Sequence, residues 1–313
     1  MEIKKVKIGN ITTKNNLFLA PLAGYSDAAL RVVCSDFGAG LCFTEMVSCK
    51  GLKYSPKKSQ ELLFTYDSEE IKACQIFGND PDVMGEIACS DYLKKFDIID
   101  INMGCPVPKI YNNGEGSALL NDIKLASKII TAVKKSNKPV SVKFRIGIVE
   151  NNYVTTDFAK MCEDSGADMI TIHGRVRTAI YQGEPNYAEI EKAKKAVKIP
   201  VIGNGGIFTK QDADNMVNNT GVDGVMVARG AINNPMIFSE ILDSQPKFTF
   251  KEEILKHLKL LEERYGKERT AIVFRKQMAF YLKGIKNSKT LKERVFSATN
   301  SSEIESIILS SFN

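Results

Sequence analysis

The sequence predicts an α/β protein: a (β/α)8 TIM barrel followed by a small C-terminal all-helical domain. Three observations lead there. Eight short, β-rich apolar runs recur through the first 230 residues with amphipathic stretches between them. No G-x-G-x-x-G follows the first run, where an open dinucleotide-binding sheet would need it. After Pro246 the strand-like runs stop and only helical periodicity continues. The predicted units are 1–243 for the barrel and 244–313 for the helical domain, joined at SQPKF (244–248).

The strand runs, in order, are Leu17–Ala20, Leu41–Glu45, Ala73–Phe77, Ile98–Asn102, Val140–Phe144, Met169–His173, Val201–Gly203 and Val225–Ala228. Runs such as VSVKF and VIG are too short for buried helices and suit parallel strands covered on both faces. Helical stretches are predicted at 27–37, 81–95, 121–135, 154–165, 187–197 and 209–219. Asp80-Pro81 suits an N-cap followed by proline in the first turn, and Thr209 with Asp212 suits a capping box. Before the first run, Val6, Ile8 and Ile11 alternate and predict a small hairpin beneath the barrel. The tail reads as four helices at 251–265, 270–285, 290–297 and 301–311, with Gly266 and Gly284 ending two of them.

Composition bounds the function. With 43% hydrophobic and 26% charged residues, the 313-residue chain is neither disordered nor fibrous, and it can bury a large core without a staple. Seven cysteines without a C-x-x-C pair predict no disulfide framework and no zinc ribbon, and two histidines leave little room for a metal site. The first sixteen residues hold no apolar signal region, and no apolar run approaches the ~18 residues of a membrane span. A cytoplasmic protein with reduced thiols is expected. The charge is uneven. Residues 244–313 carry 14 basic and 8 acidic side chains, whereas 1–243 carry 29 of each, so the whole formal excess of +6 lies in the tail. That run reads either as a solvated helical face or as a surface that meets a polyanion, with Arg275, Lys276, Lys283 and Lys286 the candidate contacts.

In such a barrel, chemistry belongs at the C-terminal ends of the strands. Glycine-rich loops follow strands seven (Asn204, Gly205, Gly206) and eight (Ala228, Arg229, Gly230), where a phosphate is commonly held near helix N-termini. Lys143 and His173 sit at neighbouring strand mouths with no acidic pair beside them, which disfavours glycosidase and divalent-metal chemistry. Lys143 suits a phosphate or an anionic cofactor ring, or snorkels as a strand-end lysine; His173 is either a site residue or a core histidine. Cys105, between Gly104 and Pro106, is the one cysteine placed for chemistry, as nucleophile or acid; a neutral thiol suits proton donation. Cys42, Cys74, Cys89 and Cys162 read as small core hydrophobes.

These residues resemble the tRNA-dihydrouridine synthases, most closely their B-type bacterial branch. APLAGYSD (20–27), CQIFG (74–78), DINMGCPVPKI (100–110), VKFRIG (142–147), TIHGRVR (171–177), IGNGGI (202–207), VMVARGAINNPMIF (225–238) and FRKQMAFYLKG (274–284) carry the resemblance, over roughly residues 10–300. It implies an FMN-containing barrel with a helical tRNA-binding domain that reduces the C5–C6 double bond of particular uridines, using NADPH (NADH possible). It further implies that Pro21, Leu22 and Ala23 back the flavin ring, that Gln75 and Lys143 bond its pyrimidine edge, and that Asn204, Gly205, Gly206, Ala228 and Arg229 hold its phosphate. Hydride would pass from flavin N5 to uracil C6 and a proton from Cys105 to C5, with Asn102, His173 and Arg175 lining the pocket. No metal, membrane or protein partner is implied. The chain departs from the usual family pattern at Leu22, Gly206, Ala228, Gln277 and Phe280. Two other readings stay open: an FMN barrel enzyme acting on a free pyrimidine or other small molecule, and an RNA-binding protein that keeps the barrel only as scaffold.

Overall fold

Alternation along each short run is what builds the architecture. A computed structural model describes residues 1–312. A two-residue-per-strand hairpin, β1 (Lys7–Ile8) and β2 (Ile11–Thr12), comes first. Eight parallel strands then follow in chain order: β3 (Leu17–Leu19), β4 (Leu41–Ser48), β5 (Ala73–Phe77), β6 (Ile98–Met103), β7 (Val140–Arg145), β8 (Met169–His173), β9 (Val201–Asn204) and β10 (Gly224–Val227). They close into a barrel in which each strand pairs with the next and β10 returns to β3. All eight lie where the sequence places them, to within three residues at any end.

Period two sorts the side chains. Leu17, Leu19, Ile99, Ile101, Val140, Val142, Ile170 and Ile172 face the surrounding helices. Phe18, Phe43, Ile98, Met169, Ile202 and Met226 point inward and form an apolar layer in the lower barrel. Val6 and Ile8 of the hairpin join that layer and plug the barrel from below. A one-residue slip in any strand would exchange these two faces, so the register is strongly determined.

The six expected barrel helices form, and local chemistry starts them as anticipated. Asp80 accepts from the Asp82 and Val83 N–H groups ahead of Pro81, and Thr209 with Asp212 makes the reciprocal capping box. The 81–95 stretch is shorter than predicted: its helix ends at Cys89, and a 3-10 turn occupies Asp91–Leu93. Cys89, expected in the core, is therefore exposed at a helix end. Five other short helices have no counterpart among the predicted elements of the barrel: Cys49–Tyr54, Pro56–Glu61, Pro108–Asn112, Arg229–Asn233 and Ile237–Ile241. Each spans six residues or fewer, too short for a helical period to show.

The tail forms helices Phe250–Tyr265, Lys267–Tyr281, Ser288–Ser297 and Ser301–Ser311. Ile254, Leu258, Phe274, Met278, Ile304 and Ile308 build a core of their own, completed by Ala29 from the first barrel helix. Polar ties fasten it to the barrel, among them Gln277 donating to the Ile232 carbonyl (2.9 Å) and the Tyr66 hydroxyl donating to the Leu260 carbonyl (2.5 Å). Beneath that joint Arg31, 1% exposed, donates to both Glu69 oxygens (2.7 and 3.1 Å) and to the Ser26 and Phe64 carbonyls. This buried ion pair anchors the loop after β3. No helix among the described residues is long and apolar enough to cross a membrane.

Candidate active site at the barrel mouth

Above the apolar layer the inward positions turn polar. The register sets Gln75 beside Asp100 and Asp100 beside Ser141 on β5, β6 and β7. Two residues further along each strand come Asn102 on β6 and Lys143 on β7, which are register partners. His173 and Asn204, likewise partners, end β8 and β9. Parallel strands deliver Asn102, Lys143, His173 and Asn204 to the same rim, where a cavity of about 650 Å³ opens. That lies within the ~300–1,000 Å³ range of small-molecule sites.

Thirteen of the fourteen residues expected to form the site line this cavity: Pro21, Leu22, Ala23, Asn102, Cys105, Lys143, His173, Arg175, Asn204, Gly205, Gly206, Ala228 and Arg229. Gln75 does not. It is fully buried one level below, donating from Nε2 to Asp100 Oδ2 (2.6 Å) and accepting from Asn102 Nδ2 (2.8 Å). It therefore supports the floor of the cavity instead of facing it.

The cavity is strongly cationic. Lys143, Arg145, Arg175 and Arg229 line it, and no carboxylate does among the described residues. Lys143 Nζ donates to Asn204 Oδ1 (2.9 Å), and Asn204 Nδ2 in turn donates to the Met226 carbonyl (2.7 Å). Burial, reinforced by Arg145, lowers the Lys143 pKa to about 8, so the ammonium persists at pH 7. His173 is buried among Arg145, Lys143, Arg175 and Arg229, and burial first, then those charges, drive its pKa well below the ordinary imidazole value. It is a neutral hydrogen-bonding ring at pH 7.

Cys105 is held entirely through its backbone. Its N–H and that of Gly104 donate to Asn102 Oδ1 (2.9 and 3.1 Å), and its carbonyl accepts from the Ser117 hydroxyl (2.7 Å). The thiol is left to the cavity. Burial raises its pKa, with the Val107 backbone, Arg145 and Lys143 pulling the other way. The net effect keeps it protonated.

The seventh loop needs its glycines. Gly205 (φ 120°) and Gly206 (φ 72°) both lie in the left-handed half of the backbone map. A Cβ on Gly205 would stand 3.0 Å from the His173 ring, and one on Gly206 3.0 Å from Pro185. After the seventh loop the expected helix N-terminus is taken: the first turn of Lys210–Thr220 is closed by its own Thr209–Asp212 box. After the eighth, the short helix Arg229–Asn233 begins without a side-chain cap. What remains for an anion is the bare backbone of the glycines and of that first turn, together with Arg229. The Arg229 guanidinium lies 4.8 Å from the Tyr181 ring and 5.5 Å from the Phe208 ring.

Arg175 has a second occupation. Its guanidinium donates to the Gln182 carbonyl (3.1 Å) and twice to that of Gly183 (2.9 and 2.7 Å), which pins the loop carrying Tyr181. Several lining residues were not anticipated from the sequence. Tyr25, Tyr181 and Phe208 belong to loops near the predicted site; Arg145 is legible at the same strand end as Lys143 but carried no assigned role. Phe280 and Lys283 come from the helical domain and had no local signal. Phe280 packs edge-on against Tyr25 (5.5 Å between centroids), and Lys276 lies over the same Tyr25 ring at 3.7 Å while donating to the Gly24 carbonyl. Arg275, by contrast, donates to the Ala298 carbonyl (2.7 Å) inside the helical domain. It serves that domain's structure and is not an outward phosphate contact.

A closed parallel barrel whose seventh and eighth loops frame a cationic, carboxylate-free mouth defines the class: an α/β-barrel protein with a cationic cavity at its C-terminal rim. The family description Dihydrouridine synthase (Dus) matches residues 18–311. The chain belongs to the dihydrouridine synthase family, and its relatives place it with the B-type bacterial branch. It is 35% identical over 309 residues to tRNA-dihydrouridine synthase B of Pasteurella multocida, covering 95% of this chain and 93% of that one. It is 37% identical over 287 residues to the Pseudomonas aeruginosa protein of the same name, covering 88% and 86%. Among solved structures, histamine dehydrogenase from Rhizobium sp. 4-9 superposes with a TM-score of 0.58 at 14% identity, over 82% of this chain and 50% of that one. At that identity the likeness concerns the barrel fold.

Proposed function

We propose that this protein reduces the C5–C6 double bond of particular uridines in tRNA to 5,6-dihydrouridine, with FMN as cofactor and NADPH as reductant (NADH possible). The observation that carries the reading is a neutral, half-buried thiol at Cys105 sharing one cationic, carboxylate-free cavity with Lys143, His173 and the Gly205–Gly206 loop. The residues present fit the cofactor. The glycine loop and Arg229 suit its phosphate, Lys143 its anionic ring edge, and Pro21, Leu22 and Ala23 form the wall against which a flat ring packs. When bound there, the flavin supplies the hydride. Cys105 gives its proton to C5 of the uracil, and the cations and the neutral His173 stabilise the negative charge that develops on the C4 oxygen. Asn102 keeps the thiol's loop in place for that transfer.

Residues 244–313 form the tRNA-binding domain in this reading. Its surface carries the chain's excess charge, and Phe280 and Lys283 reach the cavity itself. A free pyrimidine needs no such appendage, so a macromolecular substrate is favoured. The target base must leave its stack to enter the barrel mouth. The test is a position-resolved dihydrouridine map of tRNA from a deletion strain, alongside the spectrum of the purified protein. Loss of dihydrouridine at one or more positions, restored by the wild-type gene but not by Cys105→Ala, is expected, with a yellow protein. An unchanged map, or a colourless protein that FMN cannot reconstitute, refutes the reading; turnover of free uridine would favour the small-molecule alternative.

A further inference from the structure

Below the cavity, the barrel contains a polar chain that the proposed chemistry does not use directly. It starts at Asp100, a carboxylate with no solvent exposure, level with Gln75 and Ser141. Ser141 Oγ donates to Asp100 Oδ1 (2.6 Å) and Gln75 Nε2 donates to Asp100 Oδ2 (2.6 Å). One level up, Asn102 Nδ2 donates to Gln75 Oε1 (2.8 Å). At the rim, Asn102 Oδ1 accepts from the N–H groups of Gly104 and Cys105. No link in this chain is shared with solvent below, because the apolar layer and the hairpin close the barrel there.

The direction of such a chain is a separate matter from its existence. Each carboxamide has a donor end and an acceptor end and fits the same space either way round. Burial raises the Asp100 carboxyl to about 7, with Ser141, Gln75 and Lys143 pulling the other way, so it is ionised on the alkaline side of that value. An ionised carboxylate only accepts. With Asp100 ionised at the bottom, the Gln75 amine end must point down and its oxygen up. That oxygen accepts the Asn102 amine, and the Asn102 oxygen is thereby turned toward the Cys105 loop. Reversed, the Asn102 amine would face two N–H donors and the clamp would be lost. Leaving buried donors unpaired costs more than the bond itself contributes.

We infer that Asp100 is a positioning residue: it sets the polarity of the Gln75–Asn102 amide chain and so holds the Cys105 loop at the cavity rim. The inference rests on Cys105 as the proton donor only for its functional meaning, and it concerns geometry that can be read without turnover. Asp100→Asn keeps the size and the contacts with Gln75 and Ser141 but is itself a carboxamide that satisfies both either way round, so it removes the bias that a carboxylate imposes. Asp100→Leu is similar in size and removes the acceptor. Gln75→Met breaks the chain one link higher and leaves Asp100 bonded to Ser141.

The experiment is amide hydrogen exchange of the Gly104–Cys105 segment in the purified, flavin-loaded protein. Asp100→Leu and Gln75→Met should exchange there on the order of tenfold faster than wild type, the size expected for loss of one buried hydrogen bond. Exchange is compared at about pH 8, where Asp100 is ionised. Asp100→Asn should exchange faster than wild type and more slowly than Asp100→Leu. Unchanged exchange in a folded Asp100→Leu protein overturns the inference, as does wild-type exchange in Asp100→Asn. Should Asp100→Leu fail to fold, Gln75→Met decides alone: accelerated exchange supports the relay, and wild-type exchange refutes it. None of these outcomes depends on uridine reduction. If Cys105→Ala retains activity, the assignment of Cys105 as proton donor fails while the exchange result stands; if exchange is unaffected but Cys105→Ala is inactive, the relay fails and that assignment stands.

Discussion

Replacing Cys105 by alanine isolates the proton-transfer step. The loop around it is held by Asn102 and Ser117 through backbone atoms alone, so removing Sγ leaves those bonds in place. Burial raises the thiol above its ordinary value of 9.0, which leaves on the order of 1% thiolate or less at pH 7. The group is therefore an acid across the neutral range and is lost as an acid only when the pH rises through its raised pKa. General acid catalysis is worth ~10²–10⁴-fold, or about 2.7–5.4 kcal/mol of barrier at about 1.36 kcal/mol per decade. Cys105→Ala should lose that factor in dihydrouridine formation while the reduction of its bound flavin by NADPH is essentially unchanged. Cys105→Ser, a weaker acid in the same place, should fall between them. The assay is single-turnover: the anaerobically reduced protein is mixed with tRNA lacking dihydrouridine, and product and flavin reoxidation are followed together. The alkaline limb of the wild-type pH profile should vanish in the alanine variant. A loss of less than about tenfold, well short of the ~10²-fold floor for a general acid, refutes the assignment.

Arg229→Ala should weaken flavin retention about tenfold to a hundredfold, because it removes a charge-assisted hydrogen bond of about 1.5–3 kcal/mol; unchanged occupancy in equilibrium dialysis would remove Arg229 from the phosphate site. Neutralising Lys283, Lys286 and Lys289 together should weaken tRNA binding and flatten the slope of log K against log salt by roughly 0.7–0.9 for each phosphate no longer neutralised, with Arg275 and Lys276 spared because they bond the Ala298 and Gly24 carbonyls. An unchanged slope in a folded protein would show that these lysines do not grip RNA. Arg31→Met should destabilise the protein by about 3–5 kcal/mol, since Glu69 would be left buried and uncompensated; urea unfolding at pH 7 measures it, and an unshifted midpoint would contradict the buried pair. Burial and the neighbouring Asp36 raise Glu253 to about 7, so its protonation favours the folded state: that stability is full below the ordinary carboxyl value of 4.5 and is lost as pH rises through about 7. Glu253→Gln should flatten the stability profile across that window, and an identical slope in both proteins would count against it.

The barrel, its helical tail and most of the rim were legible in the residues alone. Strand runs such as Val140–Phe144 declare themselves because period two and β-branched content are local properties. Once eight parallel strands close a barrel, Lys143, His173 and Asn204 can only emerge at one end. The glycines at 205 and 206 were likewise readable, since a positive φ is a demand on one residue. Other features depended on how distant segments settle against one another. Gln75 looks like a strand-end site residue, but the register between β5 and β6 places it a level below the rim with both ends of its amide engaged. Arg175 is drawn to the carbonyls of its own loop, and Arg275 to Ala298 across two helices. Phe280 and Lys283 reach the cavity only because the helical domain docks against the barrel through Ala29, Gln277 and Tyr66. The sequence by itself thus determined the architecture and the chemical inventory of the mouth, because periodicity and backbone constraint act within a few residues. The tertiary structure alone decided which of those groups face the ligand and which hold the others in place, because hydrogen-bond partners are chosen between segments that meet only when the chain is folded.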